Sequence, residues 1–159
     1  MTSSDLRDYA TVVAAVVALL VFIINSFSLL RNRRIENLAR FFEAHQRLFE
    51  TGGYMASNIN AIEAGRLVRD HDDEAMEAKF HLMLLEIEQL AILANNQAVP
   101  RHTQVYMLGS YTRQVLGALT EQERNSMFWE LAIGYLDGLA ADTARYETLT
   151  RKSREAFWR

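Results

Sequence analysis

An uncharged stretch dominates the start of the chain. From Tyr9 to Leu30, 22 positions hold no Asp, Glu, Lys or Arg, and nearly all are Ala, Val, Leu, Ile or Phe. A helix of that length reaches roughly 33 Å at about 1.5 Å per residue, enough for a bilayer core of about 30 Å. A cleaved secretory signal is the alternative, but the run exceeds the usual apolar region of one. No basic leader precedes it and no small-x-small cleavage pattern follows. The expected organisation is a short extracytoplasmic leader over 1–8, a transmembrane helix over 9–30, and a helical bundle over 31–159. Arg31, Arg33 and Arg34 follow the span, whereas Asp5, Arg7 and Asp8 precede it. Positive flanks stay on the cytoplasmic side, so the N-terminus should lie outside and the bundle in the cytoplasm. In a bacterium this would be the inner membrane.

Beyond the span, helical period continues and no strand period is present, so the fold class is all-α: one N-terminal transmembrane helix running on into about four to five antiparallel helices. Ile35, Leu38, Phe42, His45 and Phe49 recur at spacings of three and four, and Gly52-Gly53 should end this first helix. A second helix is predicted over Tyr54–Arg69, with Met55, Ile59 and Ile62 on one face. The polar run Asp70-His71-Asp72-Asp73 breaks it and offers N-caps to a third, Glu74 to about Asn95. There Phe80, Leu84, Ile87, Leu90, Ala91 and Ala94 form one stripe, while Leu82, Leu85, Ile92 and Leu93 occupy other faces. A helix apolar nearly all round reads as central in a bundle. Pro100 precedes a fourth helix, whose Val105, Leu108, Thr112, Val115, Leu116 and Leu119 face inward, with Gln104, Arg113 and Gln114 opposite. Thr120-Glu121-Gln122-Glu123 has the form of a capping box. It should open a fifth helix reaching the C-terminus, with Met127, Leu131, Tyr135 and Gly138 inward.

Charge narrows the possible partners. The whole chain carries −3. The three arginines after the span and the basic C-terminal residues, Arg145, Arg151, Lys152, Arg154 and Arg159, leave −8 on the body between 35 and 144. Such a surface repels phosphate, so no nucleic-acid partner is expected. The absence of cysteine fits a reducing compartment.

Candidate chemistry is sparse. His45, His71, His81 and His102 occur in none of the helical spacings that place metal ligands on one face. His81 and Glu88 share a stripe and could form a buried polar pair. The same two with a third polar group would be the minimum for a tethered enzyme. Asp70, Asp72 and Asp73 lack the glycine and distal glutamate of a calcium loop. No phosphate loop or nucleophile elbow is present, so no catalytic residue, cofactor or metal is expected. Gly134 and Gly138 share a helix face and should mark close helix packing. The basic tail with Phe157 and Trp158 could meet a membrane surface, though a solvated or partner-binding helix end is favoured.

Within the span, projection at about 100° per residue gathers Ala10, Thr11, Ala14, Ala18, Val21, Asn25 and Ser28 on one side. Val12, Val16, Leu19, Leu20, Ile23, Phe27 and Leu30 lie opposite. Small and polar residues facing bulky ones is the pattern of a span that packs on another helix, and Asn25 in lipid asks for a hydrogen-bond partner. Thr11, Ala14, Ala18, Asn25 and Ser28 are therefore the candidate helix–helix interface.

The stretch Glu86-Ile-Glu-Gln-Leu-Ala-Ile-Leu-Ala-Asn-Asn-Gln-Ala-Val-Pro100, with a single span upstream, resembles an uncharacterised bacterial family. Its members combine one N-terminal span with a small cytoplasmic helical domain, and some similar proteins carry the label of phage abortive infection. The resemblance rests on packing residues and transfers no functional residue. The expected function is a membrane-anchored, non-catalytic accessory or scaffolding subunit, with the bilayer and other transmembrane subunits, or a second copy of itself, as partners. The alternative is a bacterial defence or signalling module with a cytoplasmic sensor bundle.

Overall fold

The computed structural model describes residues 3–96 and 99–157. It is all-helical, 79% helix, with no strand among the described residues. The chain divides into two units, Met1–Glu36 and Asn37–Arg159. Helix α1, Ser3–Leu48, contains a segment near the N-terminus that is long and apolar enough to cross a membrane. In the first unit the large apolar side chains described between Val16 and Leu30 are all exposed, Phe22 and Phe27 to about 70%.

In the second unit, helix boundaries follow local chemistry. α2, Tyr54–Glu63, begins after Gly52, whose φ of 88° turns the chain out of α1. It stops six residues short of the predicted Arg69. Gly65, at φ 65°, donates to Ile62 O while Arg66 N–H reaches Ala61 O. This left-handed closure satisfies the terminal carbonyls and ends the helix there. α3, Glu74–Asn95, starts where Asp73 accepts from the backbone N–H groups of Ala75 and Met76. α4, Arg101–Gly117, follows Pro100. The capping box is real: Glu123 N–H donates to Thr120 Oγ1 and Thr120 N–H to Glu123 Oε2. It opens only the single turn α5, Glu121–Arg124, because the chain turns again at Asn125. The expected fifth helix is thus three, with α6 over Glu130–Glu147 and α7 over Arg151–Phe157.

The core corrects several facings. In α1 Phe41, Ala44 and Leu48 are buried, one residue out of phase with the expected seam, while Phe42 is exposed. In α6 Ala132, Ile133, Leu136 and Leu139 point inward with Tyr135, whereas Met127, before the helix, is 79% exposed and Leu131 is exposed as well. Gln104 faces in rather than out. Its Nε2 donates to Val99 O at 2.8 Å and its Oε1 accepts from Arg101, which removes the cost of burying the amide. α3 buries one stripe, Phe80, Met83, Leu84, Ile87, Leu90 and Ala91. It is not covered all round: Leu82, Leu85 and Ile92 stand exposed. The tight approach of α4 to α6 is made by Gly109, where an added Cβ would collide with the Thr143 side chain. Gly134 has open space beside it, and Gly138 faces the Arg101 guanidinium.

Candidate functional site

After the early stop of α2, residues 66–70 have no regular secondary structure, and Arg69 among them is carried into the interior. Its side chain is only 4% exposed. A buried guanidinium costs several kcal/mol unless its donors and charge are met. Here they are. Nε and Nη2 donate to both oxygens of Glu77, each at 2.5 Å. Nη1 and Nη2 donate to the two oxygens of Glu123, at 2.7 and 2.8 Å. Nη1 also reaches Ala118 O at 3.2 Å, and the Phe80 ring lies 3.7 Å beneath the guanidinium carbon.

Two histidines attach to this centre. His81 Nε2 lies 2.9 Å from Glu123 Oε1, with its ring stacked on Trp129 at 5.7 Å. His71 Nδ1 lies 3.2 Å from Glu77 Oε1. Glu123 therefore serves twice, capping α5 and anchoring Arg69. Burial pushes its carboxyl up, but hydrogen bonds from Arg69, Thr120 and His81 prevail and hold it at about 2. The bonds from Arg69 also keep Glu77 below the ordinary range, against a smaller effect of burial. Burial opposes the charge on Arg69, yet its two carboxylate partners keep it firmly protonated.

The oxygens and nitrogen of Glu77, His81 and Glu123 lie within 4.8 Å of one another, a spacing open to a metal ion. Arg69 already supplies the positive charge there and takes both oxygens of each carboxylate, so a cation would have to displace it. A carboxylate held at about 2 is also too weak a base for proton transfer near neutral pH, where the best catalytic groups titrate. The arrangement is suited to fixing three segments together: 66–70, α3 and α5.

His81 and Glu88 are not brought together. His81 turns to Glu123, and with 44% of its side chain exposed it is no buried pair. Glu88 lines a separate open groove of about 590 Å³ with Asn95, Arg101, Glu130 and Tyr135, among others. Within that lining the Tyr135 hydroxyl is buried with no hydrogen-bond partner among the described residues. Arg101 sits over the Tyr135 ring but is engaged by Asp142 at 2.6 Å. His45 is half-buried against Phe49, with Nε2 at hydrogen-bond distance, 3.3 Å, from Met107 O.

Of the membrane stripe, Ala18, Asn25 and Ser28 are exposed on α1. The side chains of Thr11 and Ala14 lie outside the described residues. Arg31, Arg33 and Arg34 are exposed. Arg69 and Glu77 were missed at the sequence level, although Gly65 was an available stop signal just ahead of Arg69. No family model, curated protein or solved structure matches this chain.

Proposed function

We propose that this protein is a membrane-anchored, non-catalytic interaction protein, an accessory or scaffolding subunit of a larger membrane assembly. It sits in the bacterial inner membrane with its N-terminus outside and residues 31–159 in the cytoplasm. The observation that carries the reading is the uncharged segment of α1, whose described apolar side chains have no protein cover, followed at once by Arg31, Arg33 and Arg34. Lipid is the solvent such a surface needs, and the arginines favour the cytoplasmic face. The Arg69 centre supports a structural rather than a reactive interior, since its guanidinium donors and the carboxylate oxygens of Glu77 and Glu123 are bonded to one another. The acidic body argues against nucleic acid as the partner.

The test is copurification in mild detergent. Ala14→Leu with Ala18→Leu should block close approach of another helix along the small-residue stripe and release partner subunits. Val16 and Leu20 replaced by other bulky apolar residues should leave retention unchanged. Stoichiometric recovery with one complex supports an accessory subunit; recovery of none favours the defence or signalling module. Protease added to inverted vesicles should digest the bundle and spare it in right-side-out ones, and the opposite pattern overturns the topology.

A further inference from the structure

The exposed side of α3 is patterned. Ala75, Ala78, Leu82, Leu85, Gln89 and Ile92 follow one another at spacings of 3, 4, 3, 4 and 3, and all six are exposed. Leu82 is exposed to 61%, Leu85 to 44% and Ile92 to 53%. A repeat alternating three and four is the seam of a two-stranded coiled coil, in which every turn presents a side chain to a facing helix. It is a second seam: the stripe of Phe80, Leu84 and Ile87 already serves the core of the same unit.

We infer that this seam is a self-association surface, covered by α3 of a second copy packed in parallel and in register. This deepens the interaction reading above and rests on it. The flanking charges favour the same helix as occupant. In a parallel pair, residues flanking the seam meet across it five positions apart. Glu74 of one copy then faces Lys79 of the other, a pair occurring twice by symmetry, while at the next such position His81 and Glu86 are already engaged by Glu123 and Arg47 of their own copy. Among the described residues Glu74 and Lys79 make no ion pair within the chain, so both are available.

Gln89 would meet Gln89 of the second copy. Arg47 donates to its Oε1 at 2.9 Å, leaving its amide N–H groups for the facing residue. One polar layer in an apolar seam fixes register and two-strandedness. An antiparallel partner would instead set Gln89 against Ala78, where the amide has nothing to bond. Two grooves, about 560 and 400 Å³, border the seam and share Gln89 in their linings, giving room for the flanking side chains of a second helix.

The chain has no cysteine, so single-cysteine variants of the full-length protein in native membranes report the pairing directly. Ala75→Cys, Ala78→Cys and Leu85→Cys should each give a product of twice the chain's mass on mild oxidation, and Gln122→Cys should not. Adding Ile92→Glu should reduce the Leu85→Cys product at least tenfold. Carbonate extraction of the same membranes reads anchoring independently. Products at Leu85→Cys but none at Ala75→Cys would overturn the parallel register. A seam product of another mass would overturn the second copy while leaving the interaction reading intact. No seam product from a carbonate-resistant chain would overturn the seam itself, and a chain released by carbonate would overturn the anchor instead.

Discussion

Replacing Arg69 by Met tests whether the buried ion centre organises the bundle. The substitution keeps most of the stem that packs on Phe80 and removes all four guanidinium bonds to Glu77 and Glu123, leaving only those from Thr120, His81 and His71. Two carboxylates are left facing one another, Glu123 with 10% of its side chain exposed and Glu77 with 21%. Removing one partner of a buried ion pair costs about 3–5 kcal/mol. Partial access of water to Glu77 and the remaining bond from His81 place the expectation at the lower end, about 3 kcal/mol. That is a large share of a stability of roughly 5–15 kcal/mol. In urea, unfolding of the detergent-solubilised chain followed by tryptophan fluorescence should shift its midpoint down by about 1 M or more. The pH dependence is diagnostic. In the native protein both carboxyls titrate below their usual value, so their contribution is complete above about 4.5 and is lost as pH falls below it, for Glu123 through about 2. Without Arg69 the carboxylates repel and would rather bind protons, so the deficit should shrink as pH is lowered from 7 toward 5. Adding Glu123→Gln to Arg69→Met should recover part of the loss. A variant within about 1 kcal/mol of the native protein at neutral pH, or a deficit indifferent to pH, would refute the reasoning, since an exposed pair is worth no more than that.

Two further outcomes concern packing. Leu84→Asp or Ile87→Asp should unfold the second unit, because both positions are buried and an unpaired carboxylate there costs several kcal/mol; full thermal stability in either would make α3 peripheral. Gly109→Ala should lower stability by about 1–3 kcal/mol through collision with Thr143, whereas Gly134→Ala, with open space, should raise it by about 0.5–1 kcal/mol. Thermal unfolding of the pair reads both signs, and equal shifts would show that the α4–α6 approach is looser than described.

What the sequence determined by itself was set by interactions within a few residues. The uncharged run of α1, the turn at Gly52-Gly53, the Asp73 cap, the Pro100 boundary and the Thr120–Glu123 capping box each depend on backbone chemistry at short range. Local patterning was enough for these, and for the all-helical class. Which side of a helix faces in is a different matter, because it depends on what covers it. Sequence spacing pointed α1 inward through Phe42, His45 and Phe49, but the neighbouring segments cover Phe41, Ala44 and Leu48. Gln104 turned inward because the Val99 carbonyl was there to accept from it. Arg69 became a core residue because Glu77 and Glu123, 8 and 54 positions away, converge on it. In α3 the apolar surface all round read as that of a central helix. Only the packed structure showed that one stripe, Phe80, Leu84, Ile87 and Leu90, is covered while Leu82, Leu85 and Ile92 are not.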